Sequence, residues 1–343
     1  MDQTPTPRQA LKDLLQGIQP PRPLFLPIVF SLGAKIENVP LRDFFANPTK
    51  ITNALRQIRA RVRSDGVACY FDPNLEAEAL GATLQWPPND EPARLHRPNL
   101  PEKRELPQAL RSPEEAAKHS RVGVAVEVIQ RLKSLLRDEP LLLAGVSGPF
   151  TLAAQLLQLT QTEAARCDDL PADAVELAAA TITQIATKLV EAGANAIFIR
   201  EEILPPLAPQ SAESWATSLA PALNIIRFYQ ALPILQITDT HSFAENKAIL
   251  SNQNWDCILC HTLPTSNNGV ALPCAPPPSG SAQMGIAVPS NAFQSDESGT
   301  ESFRQSLHNI IDELQPAVIT TATDVPATTD VKQLSKLWEE IHR

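Results

Sequence analysis

Residues 171–202 read PADAVELAAATITQIATKLVEAGANAIFIREE. The first two thirds carry apolar side chains at helical spacing. Pro171 opens the run, where a missing N–H costs nothing, and Gly193 follows its end, where a helix cap needs backbone freedom. Ala194–Ile199 is then short and apolar, the composition of a strand buried on both faces. The stretch turns charged immediately afterwards, at Arg200, Glu201 and Glu202. One helix feeding one buried strand that ends in polar residues is the unit of a parallel α/β sheet.

The same rhythm runs outward in both directions. A helix over 49–63 precedes a strand over 67–71, and one over 124–137 precedes 141–146. Helices over 215–230, 243–251 and 300–314 precede strands over 234–237, 257–260 and 317–320. Apolar runs at Leu24–Phe30 and Met284–Val288 bring the strands to eight. Eight βα units predict a single (β/α)8 TIM-type barrel over residues 21–343, with residues 1–20 as an N-terminal extension. An open doubly wound sheet is the alternative; no G-x-G-x-x-G follows any strand, which weakens its dinucleotide-binding form. Two excursions interrupt the pattern, Trp86–Pro113 and the Pro/Ser/Asn/Gly-rich stretch Leu263–Ala282, the second expected as mobile coil. Both follow strands, so both are expected as extended loops at the C-terminal mouth of the barrel.

Composition narrows the function classes. The 343 residues are 43% hydrophobic and 20% charged, enough for a large core. A net charge of −9 without any Lys/Arg run speaks against DNA and RNA as partners. No apolar run approaches the ~20 residues that span a bilayer, so no membrane association is expected. The start MDQTPTPRQALKDLLQ lacks the layout of a secretory signal, and five scattered cysteines do not suggest a disulfide framework. The expected location is the cytoplasm.

Barrel active sites are built from strand C-terminal ends and the loops beyond them. That rule selects Ser31 and Lys35 after strand one, Asp72 after strand two, and Ser147 and Thr151 after strand three. It adds Arg200, Glu201 and Glu202, then Asp239, Thr240 and His241, then His261, Ser290, Asn291, Thr323 and Asp324. Asp72 is the sharpest of these, because Tyr70-Phe71-Asp72-Pro73 puts a carboxylate where an apolar strand meets the mouth. Such a carboxylate suits proton transfer or a grip on N–H donors, and equally suits a loop cap. Glu201 and Glu202 are adjacent on a strand end, so only one can face the pocket and the other should pair outside, with a helix end. Cys257-Ile-Leu-Cys260-His261 spells a haem attachment pattern, but on a strand positions 257 and 260 face opposite sides. A zinc site from His241, Cys260, His261 and Cys274 is chemically permissible; satisfied or solvated histidines are the simpler reading.

Three stretches carry a family resemblance. Asn74-Leu-Glu-Ala-Glu-Ala-Leu-Gly-Ala82, behind Tyr70-Phe-Asp72, is similar to the second-strand region of the uroporphyrinogen decarboxylase superfamily. Gly145-Val-Ser-Gly-Pro-Phe-Thr-Leu-Ala153 resembles its Gly-x-x-Gly-Pro-Phe-Thr-Leu-Ala signature after strand three, and Glu191-Ala-Gly-Ala-Asn195 resembles its Glu-Ala-Gly-Ala-Asp segment. The superfamily includes the methylcobamide:coenzyme M methyltransferases, toward which the Glu-Ala-Glu-Ala-Leu-Gly wording leans.

The resemblance implies a barrel binding a small ligand, with Asp72 matching the aspartate that holds pyrrole N–H groups in the decarboxylases. The residues expected to line the ligand with it are Ser31, Lys35, Phe71, Phe150, Gln155, Arg200, Glu201, Gln236, His241, His261 and Thr323. The chain departs from the decarboxylase pattern elsewhere. Its strand-one loop Phe30–Lys35 offers Lys35 where the family has arginines, Gln155 stands at the family's tyrosine, and the late histidine falls near Thr323. The methyltransferases' zinc-binding His-x-Cys falls on Gln236-Ile-Thr238, and their later cysteine near Thr323; an amide and hydroxyls are poor zinc ligands. No metal or cofactor of its own is therefore expected.

Uroporphyrinogen carries eight carboxylates, and two like charges 4 Å apart repel by about 4 kcal/mol at an effective dielectric near 20. A less acidic ligand, or a corrinoid presented by a partner protein, conflicts less with this acidic chain. Three functions remain open: a divergent superfamily member binding a tetrapyrrole-derived ligand, with decarboxylase-type chemistry in doubt; a corrinoid-linked methyltransferase with replaced zinc ligands; and a non-catalytic barrel acting as an interaction subunit. Relatives imply a homodimer.

Overall fold

Eight short aliphatic runs form eight parallel strands: β1 (Leu24–Phe25), β2 (Gly66–Tyr70), β3 (Leu141–Ser147), β4 (Ala196–Glu201), β5 (Leu232–Ile237), β6 (Cys257–His261), β7 (Gln283–Val288) and β8 (Val318–Thr321). The computed structural model of the chain describes residues 5–88, 91–96, 105–137, 139–159, 163, 170–202, 204, 207–238, 246, 250, 255–264, 270–272, 283–289, 297–326, 329 and 331–341. The sheet order is β1-β8-β7-β6-β5-β4-β3-β2, each strand beside its sequence neighbour, as in a (β/α)8 barrel. All eight strands coincide with the apolar runs of the sequence. Of the helix expected over 243–251, most lies outside the described residues.

The helices on the outside start and stop where their sequences say they should. α1 (Pro7–Leu15), α2 (Leu32–Ile36), α3 (Leu41–Phe45) and α4 (Pro48–Arg61) surround the first strand, and the Asn47 side chain caps α4 by accepting the N–H groups of Thr49 and Lys50. α5 (Leu75–Leu80), α6 (Pro113–Ala116), α7 (Ser120–Leu136), α8 (Pro149–Leu156) and α9 (Ala172–Ala192) follow. α10 (Pro209–Phe228), α11 (Glu297–Leu314) and α12 (Val331–Ile341) complete the described set. α1 lies within the expected extension and buries Ala10, Leu11 and Leu14 against the barrel.

β1 is much shorter than its apolar run. The Leu26 N–H still donates to the Ile319 carbonyl at 2.8 Å, and beyond it side chains take over. Thr320 Oγ1 donates to the Leu26 carbonyl, and the Ile28 N–H is accepted by Thr321 Oγ1 at 3.0 Å. The ends of the sheet, β1 and β2, meet through Asp65. Its N–H donates to the Phe25 carbonyl, its carboxylate accepts the Phe25 N–H at 2.9 Å, and Arg22 grips both carboxylate oxygens at 2.8 and 2.9 Å. One side chain thus closes a barrel seam that no ladder closes.

Both excursions leave from the mouth. The first contains an antiparallel pair, Leu84–Gln85 with Arg94–Leu95, and sets Trp86 against Phe45. The second contains a pair, Leu263–Pro264 with Val270–Ala271; the rest of it lies outside the described residues. Among the described residues no helix is long and apolar enough to cross a membrane.

Candidate functional site

The corner after β2 is the centre of the mouth. Pro73 stops the strand, and Asp72 turns its carboxylate inward, accepting the Asn74 N–H at 3.0 Å and an N–H of Arg121. Arg121 comes from the first turn of α7, donates its other terminal nitrogen to Glu78 at 2.6 Å, and lies 5.4 Å from the ring of Phe45 and 5.8 Å from that of Trp86. Both Asp72 and Arg121 are buried. The loop-cap and charge-pair roles of Asp72 therefore coexist in one side chain.

Next to it, Ser147 ends β3 and donates to Glu76 Oε2 at 2.9 Å. Glu76 is fully buried, and its other oxygen, Oε1, has no protein partner. The Gln155 amide donates to the Pro73 carbonyl at 3.0 Å, leaving its own buried Oε1 likewise unpartnered. Burial pushes the Glu76 carboxyl up to about 7, hydrogen bonds from Ser147 pull it partly back, and the Glu202 charge adds to the rise.

A third group spans β4 to β6. Arg200 Nε donates to Gln236 at 3.0 Å, and its guanidinium pairs with Glu202 at 3.2 Å. The Gln236 amide nitrogen lies 3.2 Å from His261 Nε2 and donates to the Ala322 carbonyl at 3.0 Å. At the strand-one side, Asp324 accepts the N–H groups of Phe30 and Ser31 and the Ser31 hydroxyl. Burial raises the Asp324 pKa, against these hydrogen bonds and the Arg200 charge.

Phe71, Asp72, Pro73, Gly145, Val146, Ser147, Arg200 and Glu202 enclose a cavity of about 10 Å³, room for one water molecule. Phe71 packs edge-on to Phe198, and only a glycine fits beneath it, since a Cβ on Gly145 would lie 2.7 Å from its ring.

Glu201 corrects an expectation. It was expected to line the ligand, but its carboxylate faces away from the mouth, into the start of α8. There it accepts the N–H groups of Phe150 (3.1 Å) and Thr151 (2.8 Å), the Thr151 hydroxyl (2.7 Å) and the Trp215 indole N–H (2.7 Å). Gly148 makes room, because a Cβ there would sit 2.1 Å from Glu201 Cδ. Burial still raises the Glu201 pKa to about 6 against those four donors. Glu202 is the member of the pair that faces the cavity, two residues from Arg200 as strand alternation requires.

The other expected residues scatter. Phe150 is buried on α8 and serves Glu201 through its backbone, Lys35 is exposed on α2, and Thr323 is exposed beyond β8. His241 lies outside the described residues, as do Asp239, Thr240, Cys274, Ser290 and Asn291. Cys257 and Cys260 are buried on β6, and burial raises the Cys257 thiol's pKa far above its ordinary value. The donors at the zinc positions of the methyltransferase branch do not fit that ion: Gln236 is committed to Arg200, His261 and Ala322, and Thr238 and Thr323 offer hydroxyls. Among the described residues no three His, Cys, Asp or Glu side chains gather as a metal site.

Arg121 and Glu76 are the mouth residues that the strand-end rule does not select. Glu76 sits in the first turn of α5, inside the stretch that carries the resemblance. Arg121 lies before the helix expected over 124–137, because the observed helix starts four residues earlier, at Ser120.

A sequence model of the uroporphyrinogen decarboxylase family matches residues 6–243. In fold the chain is similar to a methyltransferase from Methanosarcina mazei, at 15% identity over 98% of each chain with a TM-score of 0.75. It is also similar to a candidate vitamin-B12-independent methionine synthase from Listeria monocytogenes (10% identity, 93% of this chain and 96% of that one, TM-score 0.57). A B12-independent methionine synthase from Shewanella sp. W3-18-1 follows at 12% identity, 88% of each chain and a TM-score of 0.54. At such identities the likeness is one of fold. No curated protein is significantly similar in sequence.

Proposed function

The chain belongs to the uroporphyrinogen decarboxylase family, and on that footing we propose that it binds a small, donor-rich, tetrapyrrole-derived ligand at the barrel mouth. One observation carries the reading: Asp72 and Arg200, both buried and held by partners from separate elements, face a single cavity. Desolvating charges is expensive, and a barrel end closed for stability alone is served as well by apolar side chains. Asp72, fixed by Arg121, offers an acceptor to ligand N–H groups, and Arg200, fixed by Gln236 and Glu202, offers a cation to a ligand carboxylate.

Decarboxylase-type chemistry places one further demand. Loss of CO2 breaks a carbon–carbon bond and leaves an electron pair on carbon, which must take up a proton. Glu76, half protonated near neutral pH, is the donor within reach of the cavity through Ser147.

Binding of uroporphyrin and coproporphyrin, followed by calorimetry on wild type, Asp72→Asn and Arg200→Gln, tests the reading. Saturable binding that weakens at least about tenfold in both variants, with native circular dichroism, supports it. Asp72→Asn keeps the acceptor for Asn74, and Arg121 keeps Glu78, so the fold survives. Absence of binding in wild type favours an interaction subunit instead. Stoichiometric zinc in protein purified without chelator favours the methyltransferase reading, with a corrinoid protein as partner.

A further inference from the structure

A groove of about 850 Å³ lies at the opposite end of the barrel. Its walls hold Arg8, Arg59, Arg63 and Trp338, with Asp65 and Glu139. Asp65 and Glu139 precede β2 and β3, which places the groove at the strands' N-terminal ends, remote from Asp72 and Arg200.

Three guanidinium groups around one groove are out of keeping with a chain of net charge −9. Arg59 is in the last turn of α4, where a cation complements the helix dipole and needs no further explanation. Arg8 reaches the same groove from the first turn of α1. The Arg63 guanidinium lies 5.3 Å over the Trp338 ring, which restrains a long side chain at the groove wall. Of the two acids, Asp65 is already gripped by Arg22 through both oxygens.

We propose that this groove is a second binding site, for a small multivalent anion of the polyphosphate or polycarboxylate class, held by Arg8, Arg59 and Arg63. Planar guanidinium forks suit both kinds of oxyanion. The ligand joins α1, α4 and α12, which come from the beginning and the end of the chain and meet here, Ser335 of α12 donating to the Arg61 carbonyl at 2.8 Å. Binding therefore stabilises the folded chain by mass action, whatever happens at the mouth.

The full chain is titrated with tripolyphosphate and with citrate, against sodium chloride of matched ionic strength, by thermal unfolding and calorimetry. The expected result is a saturable rise in melting temperature with one or both anions. Their relative affinities tell phosphate from carboxylate as the recognised group. In the double variant Arg59→Gln/Arg63→Gln, binding falls by at least about tenfold. Should the double variant not fold, Arg63→Gln at its exposed position serves alone. A shift no larger than that of the chloride control, or one retained in the variant, overturns the proposal.

Discussion

Two buried carboxyl groups, Glu201 at the start of α8 and Glu76 on α5, sit in neighbouring corners of the barrel and are treated in opposite ways. Glu201 receives four hydrogen bonds, from two backbone amides, a hydroxyl and an indole. Glu76 receives one from a side chain, that of Ser147, and keeps an oxygen with no protein partner. Folded proteins rarely leave a buried acceptor unmet without a use for it. The first corner is built to hold still, and the second retains a capacity for a proton or a ligand.

Breaking the first corner has the largest effect. Glu201→Ala strips acceptors from Phe150, Thr151 and Trp215, all buried, and the expected loss is on the order of 4 kcal/mol in urea unfolding at pH 7. A loss under about 1 kcal/mol means that α8 is anchored by other contacts.

Removing the cation that serves the second corner comes next. Arg121→Met leaves Asp72 buried without its charge partner and costs about 3 kcal/mol. Adding Asp72→Asn to it recovers part of that loss, and a double-mutant cycle reads the coupling. A sequence-based view of Asp72 as a pure ligand group expects its replacement to leave the melting temperature unchanged; the ion pair with Arg121 makes a moderate decrease the expectation instead.

The smallest effect has the most specific signature. Glu76 has a folded pKa of about 7 against an ordinary value of 4.5, so between those values the folded chain holds a proton that the unfolded chain has lost. Stability from this group therefore falls as pH rises from near 4.5 to near 7, then levels off. Glu76→Gln is expected to match wild type at pH 4 and to exceed it above pH 7, by up to about 3 kcal/mol, less whatever the hydrogen bond to Ser147 loses. Equal pH slopes for wild type and variant rule out a proton held at this corner.

The fold was legible because its signal is local and repeated. Each buried strand announces itself as a short aliphatic run behind an amphipathic helix, as at 172–201, and the arrangement of eight follows from connection rules. Strand length was less legible at β1, where a threonine side chain replaces the ladder inside a continuous apolar run. The site was legible only along the chain. Asp72 could be placed by its position at a strand end, but its partner lies 49 residues away on another element. Alternation says that one of Glu201 and Glu202 faces inward without saying which. The pairing of Arg200 with Gln236 across β4 and β5 decides it.

The seam between β1 and β2, fastened by Asp65 and Arg22 in place of a ladder, sets the order in which the barrel comes apart. Amide hydrogen exchange is expected to find the earliest local opening here: the leading segment, ladder-paired on one side only, is free to peel while the remaining strands stay zipped.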